Sequence, residues 1–310
     1  KGSYSNGDVG YYALAVYNSG DTFTGTKLSN DNGYIVYTEG NEKVLVGYNG
    51  TETELVLPTY ITKINQYAFR HCSSLTSIEI PDSVTSIGDR AFSGCDSLTS
   101  IEIPNSVASI GDRAFSGCTS LTSVVIGDSV TSIDNYAFYS SYKLVEVINK
   151  SSHITIEKGS SSNGYVGYYA LAVYNSDSGI TESQLINDNG YIIYTEGNEK
   201  VLVGYNGTET ELVLPTYITK IYKYAFRYCD SLTSIVIGNS VTSIGSSAFE
   251  YCTSLTSVYY MGTVDEWAKV SIGYDNDELT NATRYYYSET QPTTTGNYWH
   301  YDENANPVVW

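Results

Sequence analysis

Five cysteines and three histidines are the residues of this 310-residue chain best suited to reactive chemistry. Cys72, Cys95, Cys118, Cys229 and Cys252 include no C-x-x-C pair, so they lack the close spacing by which thiolates converge on a metal. His71 precedes Cys72 and suggests a Cys/His nucleophile pair. Its counterpart in a later copy of the segment is Tyr228, and Gly94 and Gly117 fill the same place, which favours a variable turn residue. His153 and His300 have no recognisable base or orienting partner. Asp275, Asp277 and Glu278 in "YDNDEL" offer the oxygens calcium favours, without the spacing of an EF-hand loop. Asn49, Asn206 and Asn281 head N-x-T sequons, which matter only where a host glycosylates them. No dinucleotide loop, P-loop, nucleophile elbow or H-E-x-x-H is present. The expectation is a chain that is not an enzyme and takes no cofactor or metal.

The cysteines are spaced by something larger than a site. "SIGDRAFSGC" occurs at Ser86 and again at Ser109, 23 positions on. Sliding the chain by 23 aligns Leu75, Leu98, Leu121 and Leu144, then Ile78, Ile101, Val124 and Val147, then Phe69, Phe92, Phe115 and Phe138. The cycle returns with Phe226 and Phe249, and with Leu232 and Leu255. Self-similarity at this period predicts a solenoid. Within a unit, L-x-x-I-x-I alternates like a half-buried strand, Pro81 or Pro104 ends it, and A-F-x-x-C makes a turn. Burying about six apolar side chains yields at most about 18 kcal/mol, while ordering one unit costs at least about 1 kcal/mol per residue. Stacking is therefore obligatory. Stacked cysteines then lie about 4.8 Å apart with parallel side chains, a poor disulfide geometry, and Ser141 takes the next place. They are expected to be buried free thiols.

A larger repeat overlies the first. "GYYALAVYNS" at Gly10 recurs at Gly167, and "YTEGNEKVLVGYNGTETELVLPTYITKI" at Tyr37 recurs at Tyr194. "KGS" at Lys1 recurs in mid-chain at Lys158, so the chain is expected to be a fragment of a longer protein. Asn32 to Tyr48 and its copy Asn189 to Tyr205 alternate around Glu-Gly-Asn and predict inserted β-hairpins. Register fails near Asn149, where the Ile126 column demands an apolar residue, and a join is expected there. Thr263 and Glu266 form a capping-box pattern for a short helix carrying Trp267, and "NYWHYDENANPVVW" predicts a terminal hairpin. The expected organisation is a first repeat block over 1–157, a second over 158–262 stacked on it, and a cap over 263–310.

The repeated "LTSIxIPxSVTSIGxxAFxxC" resembles the BspA-like class of leucine-rich repeats, as do the "NGYIVYTEGNEKVLVGY" hairpin and the tail. The resemblance implies a β-rich, right-handed leucine-rich repeat solenoid with a curved parallel sheet. It also implies a bacterial protein that is secreted or held at the cell surface, with an adhesive or protein-binding role.

Charge agrees with an extracellular partner. Sixteen Lys and Arg against 34 Asp and Glu give −18, which repels nucleic acid and anionic membranes. No apolar run approaches the roughly 20 residues of a bilayer span. With the apolar positions inward, Glu54, Ser77, Ser100, Ser123 and Glu146 form one column on the concave face, and Val56, Glu79, Glu102 and Val125 another, continued by Val236 and Tyr259. Candidate rings on hairpins and tail are Tyr34, Tyr37, Tyr191, Tyr194 and Trp299, among 32 tyrosines in all. The expected function is non-catalytic adhesion or binding to a host or neighbouring-cell extracellular protein. The alternatives are a glycan-binding module that stacks sugars on Tyr and Trp, and a passive spacer for another domain.

Overall fold

In a computed structural model, residues 27–180 and 182–310 are described. The Gly10 copy of "GYYALAVYNS" and the Lys1 copy of "KGS" lie outside them. The chain forms two compact units: residues up to Ser141 with Val147–Thr181, and Tyr142–Glu146 with Glu182–Trp310.

Each unit is a β-solenoid of parallel strands, and the 23-residue period sets the register. Ser123, Val124, Val125 and Ile126 pair with Ser100, Ile101, Glu102 and Ile103. In the second unit Ser234, Ile235, Val236 and Ile237 pair with Ser257, Val258, Tyr259 and Tyr260. Two-residue strands at Lys63–Ile64, Ser86–Ile87, Ser109–Ile110 and Ser132–Ile133 build a second sheet on the return side. Matching letters become spines through the interior. The rings of Phe69, Phe92, Phe115 and Phe138 stack at 5.0, 5.1 and 5.1 Å, all four buried. Phe226 and Phe249 repeat the arrangement at 4.9 Å.

Two polar ladders hold the coils in step. The Thr of the L-T-S motif donates its Oγ1 to the carbonyl 23 residues back, as in Thr76 to Thr53 at 2.9 Å and Thr122 to Thr99 at 3.0 Å. The cysteine column does the same to a carbonyl 26 residues back: Cys95 Sγ donates to Phe69 at 3.2 Å, Cys118 to Phe92 at 3.3 Å and Cys252 to Phe226 at 3.1 Å. Ser141, at the end of the first ladder, donates to Phe115 at 2.9 Å. A small side chain with one donor is what this position needs, which explains Cys and Ser sharing it. All five cysteines are free thiols, with Cys72 and Cys229 only partly buried.

Each coil carries two left-handed residues at the A-F-x-x-C turn, one just before the Ala and one just before the Cys position. Gly94 and Gly117 sit at φ 73° and 74°, and His71, Ser140, Tyr228 and Tyr251 take the same conformation at the equivalent places. Glycine adopts it without cost, whereas a side chain with a Cβ is strained there.

Tyr34–Glu39 and Glu42–Tyr48 form the first inserted hairpin, Tyr191–Glu196 and Glu199–Tyr205 the second. Each gains an outer strand that the sequence did not suggest, Leu28–Asp31 and Ile186–Asp188. Asn149 is buried at the failed register position, and its Nδ2 donates to Ile154 O at 2.8 Å and to Asn175 Oδ1 at 2.9 Å. A buried amide is tolerated because its hydrogen bonds are met. Thr263 and Glu266 form the expected capping box on helix Val264–Trp267, and Tyr298–Tyr301 pairs antiparallel with Pro307–Val309. "YDNDEL" is also structural: Asn276 is buried, accepts from Phe249 N and donates to Gly245 O and Gly273 O, ahead of a helix at Asp277–Asn281.

Candidate functional site

On strands Glu54–Val56, Ser77–Glu79 and Ser100–Ile103 the alternation works as a switch between core and surface. Leu55, Ile78 and Ile101 are buried, while Glu54, Val56, Ser77, Glu79, Ser100 and Glu102 are exposed. Glu54 lies beside Ser77, and Val56 beside Glu79. Pro81 and Pro104 end the strands, and the chain turns through Asp82 and Asn105. Together these residues border a groove of about 610 Å³ lined by Ser77, Glu79, Asp82, Ser100, Glu102 and Asn105.

The groove is acidic, and one of its carboxylates is already paired with a cation from outside its lining. Lys150 Nζ stands 3.0 Å from Glu102 Oε1. Glu79 and Glu102 line the same groove one repeat apart, so their carboxylates repel each other unless a positive charge comes between or beside them. Lys150 relieves part of that repulsion. Its partner Glu102 is 68% exposed, so the pair is screened and easily exchanged.

The column does not continue as expected. Ser123 and Glu146 are buried. Glu146 accepts from Ser183 Oγ at 2.5 Å and Gln184 N at 2.7 Å, contacts the 23-residue phase does not foretell. Val125 is half-buried. Val236 is corrected from surface to interior: it is 2% exposed, in register between Val213 and Tyr259 on the same face. Tyr259 is half-buried against Tyr285 at 5.3 Å and Trp299 at 5.5 Å, while Trp267 packs on Tyr260 instead.

The proposed ring platforms also need correction. Trp299 has no exposed surface, and its Nε1 donates to Tyr260 O at 2.9 Å. Tyr34, Tyr37 and Tyr191 are buried. The Tyr34 hydroxyl donates to Val56 O at 3.2 Å and that of Tyr191 to Val213 O at 3.0 Å, so these rings staple hairpin to coil. Tyr194 is half-buried. Exposed tyrosines stand elsewhere, notably Tyr228, which the sequence places at a variable turn position, and Tyr251. The available signal was the use of Tyr in both coils where the first block uses His and Gly.

The thiols are poor nucleophiles. Burial pushes Cys118 up to about 12 and raises Cys95 and Cys252 as well. Cys252 borders a second groove of about 510 Å³ with Thr256, Asp277, Glu278 and Thr283, yet its Sγ is engaged with Phe226 O. Among the described residues, no group of three or more His, Cys, Asp or Glu side chains is placed to hold a metal ion. No described helix is long and apolar enough to cross a membrane.

A family model for the BspA type leucine rich repeat region matches residues 48–164 and 205–276, in six copies. Similar solved structures include a leucine-rich cell surface protein from Faecalibacterium prausnitzii A2-165, 19% identical, covering 82% of this chain and 99% of that one, TM-score 0.35. A leucine-rich repeat protein from Bacteroides ovatus is 21% identical over 85% of this chain and 70% of its own, TM-score 0.36. Another from Bacteroides capillosus is 24% identical over 39% of this chain and 98% of its own, TM-score 0.36. No curated protein matches the chain.

Proposed function

This chain belongs to the BspA-type leucine-rich repeat family, and from that premise we propose that it is a non-catalytic extracellular or cell-surface protein that binds another protein. The groove at Glu79 and Glu102 is its docking surface, and the partner is a host or neighbouring-cell extracellular protein that presents lysines or arginines. The observation that carries this reading is Lys150 seated on Glu102 at the rim of an otherwise acidic groove. A lysine or arginine from a partner would complete the pairing on Glu79 and compete for Glu102. In a chain of net charge −18, long-range attraction then accelerates encounter with basic partners.

The test is binding of the purified chain to a panel of immobilised matrix proteins and mucins at increasing salt. Saturable binding that weakens with salt and falls at least about tenfold in Glu79→Lys/Glu102→Lys supports the reading. Silence across the panel, or binding that ignores both the salt and the charge reversal, overturns it.

A further inference from the structure

Tyr228 and Tyr251 stand one coil apart in the second unit, 52% and 44% exposed, with ring centres 4.8 Å apart and planes inclined by only 7°. Among the described tyrosine pairs this one is the closest and the most nearly parallel. Tyr259 and Tyr285 stack at 5.3 Å and 20°, Tyr136 and Tyr165 at 5.5 Å and 17°. The fold asks for neither ring. Both residues are left-handed, φ 64° in each, at the place where Gly94 and Gly117 close coils of the first unit without a side chain.

The pair is held in register while it stays open to solvent. Tyr228 N donates to Glu250 O and Tyr251 N to Glu278 Oε1, both at 3.0 Å, so each ring hangs from fixed backbone. The Arg227 guanidinium carbon lies 5.0 Å from the Tyr228 ring centre and 5.7 Å from that of Tyr251, within reach of cation–π attraction to both. Face-to-face stacking aims the π lobes of each ring at the other. That is the direction in which two phenoxyl radicals form their first carbon–carbon bond, before the rings regain aromaticity. The adjoining thiols supply no covalent link of their own: Cys229 and Cys252 also stand one coil apart and are free.

We propose that Tyr228 and Tyr251 form a dityrosine cross-linking site, oxidised by hydrogen peroxide through a peroxidase. Each phenol gives up one electron and its hydroxyl proton. The two radicals join through the ring carbons ortho to oxygen, and the two ortho hydrogens shift to the oxygens. The electrons and protons reduce the peroxide, so two tyrosines and one hydrogen peroxide become one dityrosine and two waters. The bond joins residues 23 positions apart and restricts the unfolded chain as a disulfide does. Two coils that otherwise stack by hydrogen bonds and buried side chains become covalently stapled. This site is separate from the acidic groove, and either can fail without the other.

The experiment treats the intact chain, in dilute solution, with a peroxidase and hydrogen peroxide, and follows the blue fluorescence of dityrosine. Digestion after glutamate separates the two residues, because Glu250 lies between them, so a joined peptide lighter by two hydrogens than its halves locates the bond. The expected product links Tyr228 to Tyr251 within one chain and survives dithiothreitol. It should melt about 5 °C above the Tyr251→Phe variant treated in the same way. Tyr228→Phe and Tyr251→Phe keep the stacked rings, so each should retain the circular dichroism of the parent while losing the joined peptide. Glu79→Lys/Glu102→Lys should leave the yield of that peptide unchanged. Absence of the link, a bond at Tyr136 and Tyr165 or between chains in its place, or a linked chain that melts no higher than the treated variant would overturn the proposal.

Discussion

Phe115 is the sharpest place to test whether the spine of stacked rings holds the first unit together. The side chain is fully buried, with Phe92 at 5.1 Å on one side and Phe138 at 5.1 Å on the other. Phe115→Ala removes the burial and leaves a cavity that neighbouring coils cannot close without losing their own register, which costs about 3–5 kcal/mol. Two ring contacts vanish as well, each contributing about 0.5–1.5 kcal/mol beyond area. The expected loss therefore lies at the top of the range, about 5 kcal/mol. Urea unfolding followed by circular dichroism reads it directly. A double-mutant cycle with Phe92→Ala isolates the stacking and should give a coupling of about 0.5–1.5 kcal/mol. A loss below about 2 kcal/mol, or strict additivity in the cycle, refutes the reasoning, because it would mean the column contributes no more than scattered apolar residues.

The cysteine ladder predicts both chemistry and tolerance. Cys118→Ser should fold and lose only about 1 kcal/mol in thermal unfolding, because Ser141 already makes the equivalent bond. With Ellman's reagent at mildly alkaline pH, Cys72 and Cys229 should react before Cys95, Cys118 and Cys252, whose thiols are fully covered. Alkali should destabilise the fold. Burial, reinforced by the Glu209 carboxylate, pushes Tyr191 up to about 12, and burial with Glu196 does the same for Tyr222. Unfolded tyrosines ionise near about 10, so above that pH the unfolded chain binds fewer protons than the folded one and stability falls with rising pH. Denaturant midpoints should drop between about pH 10 and 12. A flat profile over that window sinks the assignment.

Much of the architecture was legible because the 23-residue phase is itself the pairing rule: Ser123 sits beside Ser100 because the same letter recurs one coil later. The hairpins were legible from alternation around Glu-Gly-Asn. Surfaces were harder to read. Tyr34 and Tyr191 have one apolar body and one polar tip, so a sequence cannot say whether the hydroxyl meets water or, as here, Val56 O and Val213 O. Glu146 is buried because Ser183 and Gln184 fold onto it from outside the repeat. Tyr228 and Tyr251 are visible as letters at a turn position, but the letters do not say that both rings are exposed and stack on each other at 4.8 Å.

The threonine and cysteine ladders carry one more implication. Every coil in the middle of the first unit offers the next the same carbonyls and receives from it the same donors. Excising the segment from Ser86 to Ala108 would bring Thr85 directly to Ser109, and each remaining group would still find an equivalent neighbour. Length thus changes in whole steps of about 4.8 Å with the interior chemistry conserved. A lineage carrying such a chain can adjust its reach by copying or dropping a cassette, without redesigning a core.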